Sequence, residues 1–284
     1  MSAATATQHT LGHPDRQLLA SGSAEPDPLA DVDTFGRTAD SSAAKALLLI
    51  DAFAGPRGVL GVTELAARAR LSKSTAHRLL TVLMAQGFVR RVGDRYCLSE
   101  HLFELGNYVR LCRPNGLRHR AMPFLAELFA QTHQTIHLAV LRGTEVLYVE
   151  KLFGHDPARC DTAIGARRPA YVTALGKAMI AFSSLEIIDR NLSVDFKRIT
   201  PFTIVRPTQL GHALDRVRNS GYATDHEEYR LGVNCLAAPI RDPQTGAVIA
   251  GLSVCSMSSI DLERRFSRLL IKVANEISQT HLAA

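Results

Sequence analysis

Lys73, Ser74, Thr75, His77 and Arg78 are crowded into the stretch LSKSTAHRLL. Short hydroxyls set among basic groups hydrogen-bond phosphate oxygens and base edges, and Arg and Lys suit guanine O6 and N7. Further on, FVRRVGDRYCLS adds Arg90, Arg91 and Arg95. A second set of residues suggests small-molecule binding. TALGKA opens on Thr173 and small residues, and a helix starting there leaves backbone N–H groups for a carboxylate. In NCLAAPIRD and AVIAGLSVCS, the strand period of two puts Cys235, Ala237 and Pro239 on one face, and likewise Ser253 and Cys255. If those faces line a cavity, its polar tips are one hydroxyl, two thiols and Asp225; ordinary core packing is the plainer reading of the same spacing.

Catalytic patterns are missing from the chain. Neither G-x-S-x-G, nor G-x-x-x-x-G-K-[ST], nor G-x-G-x-x-G occurs. His133 and His137 have the spacing of a ligand pair but straddle a helix end and a strand start, so their rings do not share a face. Cys235 as a nucleophile has only distant bases such as His226 in sequence. No catalytic residue, metal or cofactor is expected.

The first set needs a small helical module to hold it. From Ser41 or Ser42, AAKALLLIDAFA has helical spacing with a serine cap in front and Gly55-Pro56 to end it. GVTELAARAR offers Thr63 as the cap of a short second helix with Leu65, Ala66 and Ala69 on one side. Ser72 caps a third helix, from Lys73 to about Gln86, stopped by Gly87. Along it Ala76, Leu79, Leu80 and Leu83 recur at i, i+3, i+4 and i+7, which turns Lys73, Ser74, His77, Arg78 and Thr81 outward. Two β-prone runs around Gly93-Asp94 read as a basic hairpin. Three helices and such a hairpin make a winged helix-turn-helix, whose third helix meets DNA with its first two turns and its positive dipole end.

Beyond it, HLFELGNYVRLC continues from Glu100 as one linker helix, broken at Pro114-Asn115-Gly116. The remainder mixes helices and hairpins. A helix over GLRHRAMPFLAELFAQTH leads to strands turning at Arg142-Gly143, then a loop around His155 to Pro157 and a helix starting near Thr173. SSLEIIDRNL and PTQLGHALDRVRNSG are helical, the latter capped by Thr208 and ended by Gly221. A hairpin turning at Pro243 to Gly246 and a long closing helix from Ser258 complete an antiparallel α+β domain.

Composition agrees. The 284 residues suffice for two domains, and the net charge of +6 is localised. Nine Lys/Arg against three Asp/Glu fall between residues 41 and 99, which leaves the rest of the chain balanced. A concentrated basic balance is the footprint of a polyanion partner, because neutralised phosphates release counterions. Residues 1–40 are poor in large apolar side chains and are expected to be a disordered tail. Five cysteines without a C-x-x-C pair read as free thiols. No apolar run is long enough for a membrane span and the start lacks a leader pattern, so a cytoplasmic protein with no membrane partner is expected.

Six blocks in order resemble the IclR family of bacterial transcriptional regulators: LSKSTAHRLLTVL with GFV, RYCLSEHLFELG, TIHLAVLRGTEVLYVEKL, IGARRPAYVTALGKAM, GYATDHEEYRLGVNCLAAPIRD and AVIAGLSV. The resemblance implies a winged helix-turn-helix over 41–99, a linker helix over 100–116 that helps dimerise, and a GAF-like antiparallel α+β effector and oligomerisation domain over 117–284. It further implies a sequence-specific regulator, a repressor rather than an activator, bound as a homodimer or homotetramer to a palindromic double-stranded DNA operator and modulated by a small organic acid. DNA contacts would fall on Ser72, Lys73, Ser74, Thr75, His77, Arg78, Arg90, Arg91 and Arg95. Effector contacts would fall on Ala174, Leu175, Asp225, Cys235, Ser253 and Cys255. Leu175 is bulkier than the residue some relatives carry, and Cys255 replaces a hydroxyl, which leans the effector towards an apolar, aromatic type of carboxylate. The alternative is a DNA-binding thiol or redox sensor using Cys235 and Cys255; an acyl-transfer enzyme built on Cys235 is a further rival and is not expected.

Overall fold

The structure is a computed structural model and describes residues 41–55, 57–113, 115–154, 162–257 and 261–280. The tail expected over 1–40, Cys160 and the loop around His155 to Pro157 lie outside the described residues.

Helix α1 (Ser42–Asp51) is capped by Ser41, whose Oγ accepts from the Ala44 amide at 3.0 Å. Helix α2 (Val62–Ala69) is capped by Gly61, so the expected cap Thr63 lies inside it. The reason is long-range: Leu60 and Tyr96 exchange backbone hydrogen bonds of 2.9 and 2.8 Å, which hold the chain extended up to Leu60. Helix α2 ends on Arg70 in the left-handed region (φ 56°), with the Leu71 amide donating to Ala66 O. Helix α3 (Lys73–Ala85) follows, then the hairpin β1 (Val89–Val92) and β2 (Arg95–Leu98). Leu49, Leu65, Leu80, Val89 and Tyr96 belong to one core beneath all five elements.

Helix α4 (Glu100–Asn107) is shorter than the linker helix expected to reach Cys112. Past Gly106 the chain tightens into turns, with the Tyr108 amide on Leu105 O and the Cys112 amide on Val109 O. A helical glycine costs about 1 kcal/mol relative to alanine. None of the residues of α4 is buried to offset it.

The remaining elements are α5 (Leu117–Thr132), β3 (Thr135–Arg142), β4 (Glu145–Leu152), β5 (Arg167–Pro169), a 3-10 turn (Ala170–Val172), α6 (Ala174–Ile180), α7 (Leu185–Leu192), α8 (Pro207–Ser220), β6 (Ala223–His226), β7 (Asn234–Arg241), β8 (Val248–Ser256) and α9 (Leu262–Thr280). Helix α8 starts at Pro207 after Arg206, not after Thr208, because proline fits the first helical position, where an N–H has no partner anyway. Strands β5-β4-β3-β8-β7-β6 form one antiparallel sheet in that order. Its two faces differ. Ile136, Leu138, Leu236, Leu252 and Val254 point to α5 and α9, where Leu125, Leu128, Leu270 and Val273 meet them. Ala139 and Ala237 point the other way, into the core that holds α6 and α8.

Helix α6 sinks onto that second face because two glycines admit it. A Cβ on Gly176 would lie 2.0 Å from Ala170 O, and one on Gly251 would lie 3.0 Å from Leu175 Cδ2. Gly176→Ala is therefore expected to destabilise the protein by at least the 1–3 kcal/mol or so typical of overpacking, read as a lower denaturant midpoint. Gly211→Ala in α8, where an added Cβ meets nothing within 4 Å, should leave the midpoint level or raise it. Equal behaviour of the two variants would refute the close approach.

Candidate functional site

The cap of α3 is a small hydroxyl cluster. Ser72 Oγ accepts from the Thr75 amide at 3.2 Å, donates to Thr75 Oγ1 at 2.8 Å and lies 3.1 Å from Ser74 Oγ. Ser72 and Thr75 are thus engaged in shaping the first turn, whereas Lys73, Ser74, His77 and Arg78 are exposed on it. In the hairpin, Arg91 Nε donates to Gly93 O at 2.9 Å beside the turn, whereas Arg95 Nη1 donates to Val59 O at 3.4 Å, against the segment that precedes α2. Arg90 instead lies 3.5 Å from Glu100 at the base of α4, in an exposed pair worth less than about 1 kcal/mol. Lys73, Ser74, His77 and Arg78 are thus exposed on the first turns of α3, Arg91 and Arg95 are exposed on the hairpin, and Arg90 is within reach of Glu100 at the start of α4.

All six residues of the second set surround one cavity of about 40 Å³, joined by His137, Tyr148, Thr162, Tyr229 and Arg230 among others. Ala174 and Leu175 come from the first turn of α6, whose cap Thr173 accepts from the Gly176 amide at 2.9 Å. Cys235 and Cys255 are direct cross-strand partners, with Cα atoms 4.2 Å apart and their sulfurs joined as a disulfide. Free thiols were the expectation for this pair. The register overrides it, because facing positions of a non-hydrogen-bonded antiparallel pair bring side chains together. Cys97 and Cys112 are free.

Burial sets the electrostatics of the cavity. The His137 ring contacts Thr162 Oγ1 through Nε2 at 2.9 Å and lies 3.4 Å from Ser253 Oγ on its Nδ1 side. Burial, helped by the charge of Lys151, lowers its pKa to about 3, so the imidazole is neutral at physiological pH. Burial raises Asp225 to about 7; Lys177 opposes the shift and Glu228 adds to it. Asp225 Oδ1 accepts from the Glu228 amide at 2.7 Å. Near neutrality the cavity thus holds a neutral imidazole, a carboxyl that keeps its proton far above the usual carboxylate range and the Arg230 side chain. A protonated Asp225 donates a hydrogen bond to an anion, whereas an ionised one repels it. His133, exposed at the end of α5, and the buried His137 do not converge.

Sequence reasoning weighed His137 only as a possible ligand pair with His133, and passed over Tyr148, Thr162, Tyr229 and Arg230. For His137 a signal existed: it pairs with Ser253 across β3 and β8, so the alternation that grouped Ser253 with Cys255 extends to it once the strands are ordered. Thr162 arrives on a loop, where no period marks it.

Comparison with known proteins agrees with the geometry. The family model described as the IclR helix-turn-helix domain matches residues 42–93, and that of the bacterial transcriptional regulator IclR C-terminal matches residues 111–279. The HTH-type transcriptional regulator KdgR of Dickeya chrysanthemi is 36% identical over 234 residues, 79% of this chain and 74% of that protein. The transcriptional repressor IclR of Escherichia coli is 32% identical over 246 residues, 84% and 88% respectively. A crystal structure of an IclR homolog from Microbacterium hydrocarbonoxydans, complexed with 4-hydroxybenzoate, aligns with a TM-score of 0.78 at 26% identity over 86% of this chain and 100% of that one. These relatives are regulators, not enzymes.

The Asp225 shift has a consequence for stability. Below pH 4 or so the carboxyl is protonated both folded and unfolded and costs nothing. Between about pH 4 and 7 the unfolded chain ionises while the fold still holds the proton, so stability falls as pH rises; above the folded value of about 7 the fold carries the buried charge and the loss is complete. Asp225→Asn removes that cost, so its melting temperature should gain on the parent chain between pH 4 and 8, by roughly 2–4 °C per kcal/mol. A gap that does not change with pH would contradict the buried-charge account.

Proposed function

Because the chain belongs to the IclR family of bacterial transcriptional regulators, we propose that it is a sequence-specific repressor whose hold on its operator is adjusted by a compact organic acid bound beside α6. The observation that carries this reading is the convergence of Ala174, Leu175, Asp225, Cys235, Ser253 and Cys255 on one cavity, on a chain whose surplus positive charge lies in another module. In this reading residues 41–99 contact DNA, 100–116 connect, and 117–284 bind the effector and oligomerise. The protein acts in the cytoplasm, as a homodimer or homotetramer on a palindromic operator. Exposed apolar side chains on and just after α4, Phe103, Leu105, Tyr108 and Val109, supply a surface for a second copy. An effector acts by binding two arrangements of the paired modules unequally.

Cavity size argues for the class of acid. Some 150 Å³ is the scale of an apolar cavity that binds benzene, and about 40 Å³ is well below it. We therefore read the effector as a short aliphatic carboxylate, in place of the aromatic one that Leu175 and Cys255 suggested. Arg230 attracts its charge and protonated Asp225 donates to it. The alternative, a thiol sensor built on Cys235 and Cys255, gains no support from the relatives.

Arg78→Ala should weaken specific operator binding by about 1–3 kcal/mol, and Arg91→Ala should weaken binding to all sequences while flattening the salt slope by about one. Mobility shifts and salt titrations read both effects, and unchanged affinity for Arg78→Ala would remove α3 from the groove. In a thermal-shift screen, short 2-oxo and 2-hydroxy acids should raise the melting temperature, less so as pH passes through 7 and Asp225 ionises. Saturable binding of 4-hydroxybenzoate but of no short acid would overturn the compact-acid reading.

A further inference from the structure

Asp225 lines the cavity beside α6, whereas Lys177 and Glu228 are buried next to that segment and take no part in the lining. Glu228 is fixed at every polar group but one. Its amide donates to Asp225 Oδ1 at 2.7 Å, its carbonyl accepts from Thr203 Oγ1 at 2.7 Å and from Thr200 Oγ1 at 3.2 Å, and its carboxylate pairs through Oε1 with Lys177 Nζ. Lys177 belongs to α6, whose Ala174 and Leu175 face the cavity. Direct contacts thus run from the helix that forms one wall, through the ion pair, to the carboxyl on another wall.

Stability alone does not account for this pair. Two charges taken out of water are often worth no more to the fold than apolar side chains of the same volume. Here Glu228 Oε2 is also buried without a hydrogen bond, a further cost. What an apolar pair cannot supply is direction and charge beside Asp225. We propose that Lys177 and Glu228 are positioning residues of the acid site, which act on a bound acid through Asp225 by holding its carboxyl in place and setting when that carboxyl can donate a hydrogen bond. The acid rests on the effector reading above; the hold on Asp225 does not.

The two partners pull in opposite senses. Burial does most to raise Asp225; the Lys177 charge draws it back down, and the Glu228 charge, the smaller of the two influences, pushes it up. Burial also raises Glu228, against the charges of Lys177, His226 and Arg216, so Glu228 takes up a proton once Lys177 loses its charge. The other titratable groups around the cavity are the neutral His137 on β3, Tyr148 on β4, and Tyr229 and Arg230 just after Glu228. None of them belongs to the pair, so changing the pair leaves them in place.

The test follows the full chain on either side of neutrality by two readouts: carboxyl carbon NMR of Asp225, assigned by its loss in Asp225→Asn, and calorimetric affinity for pyruvate and lactate. Glu228→Gln leaves the Lys177 charge without its partner and is expected to move the Asp225 midpoint down. Lys177→Met is expected to move it up, each by about half a pH unit or more, and the pH at which affinity for the two acids falls away is expected to move with it. A merely structural pair would weaken binding in both variants and leave the carboxyl midpoint where it is. Where a single variant does not fold, Lys177→Met/Glu228→Gln removes both charges at nearly constant shape, and its midpoint is expected to rise, because Lys177 weighs more on Asp225 than Glu228 does. Midpoints that stay put in every variant that folds, midpoints that move the same way in both single variants, or a double variant that does not fold overturn the proposal. So does an affinity profile that ignores a moved midpoint. Midpoints that move as stated in a chain that binds neither acid refute the effector reading and leave the hold of the pair on Asp225 standing.

Discussion

The period-two alternation of the central strands β3, β8 and β7 is the constraint on which the C-terminal half depends. A strand sends successive side chains to opposite faces, and here the two faces are unlike in kind. Leucines, isoleucines and valines fill one and are sealed by α5 and α9. The other bears Ala139, Gly251, Ser253, Ala237 and the joined cysteines, small or polar groups that cannot fill the space beneath α6. A cavity follows from that deficit of volume. Its polarity follows from what is left to line it, and its unusual proton affinities follow from depth, since water is excluded from Asp225 and His137 alike.

The same logic explains why α6 is short and glycine-bearing. A longer or bulkier helix could not approach Ala170 closely enough for Gly176 to pack where it does. Loss of the approach would widen the cavity and separate Lys177 from Glu228, so packing and electrostatics in this region are one problem. In the N-terminal module the balance differs. There Leu65, Leu80 and Tyr96 form the core, and the polar work is done by exposed side chains with no burial to sharpen them.

How much was legible in the sequence varied with the range of the interactions involved. Helix α3 was readable because Ala76, Leu79, Leu80 and Leu83 mark a local period, and the outward placement of Lys73 and Arg78 follows from it without tertiary information. The grouping of Ser253 with Cys255 was readable for the same reason. Thr63 and Thr208 failed as caps because a bridge to Tyr96 and a proline set the true helix starts. The pairing of Cys235 with Cys255 depended on register across two strands, which neither strand encodes alone. Thr162, Tyr229 and Arg230 reach the cavity from loops, where spacing carries no directional signal.

Helix α4 is joined to its surroundings at its first turn, through Glu100 to Arg90 and through His101 against Phe88, and buries no residue of its own. An eight-residue helix without a packed face is marginal by itself. Mechanically it is a compliant joint between two stiff bodies. Because α4 buries no residue, a change in its angle would break no core contact of its own, and in the regulatory reading proposed above the few kcal/mol typical of coupling between sites would suffice to make it. In the dimeric reading proposed above, such a joint would let two copies meet half-sites of unequal spacing, the choice among them falling to whatever clamps the exposed Phe103 and Tyr108.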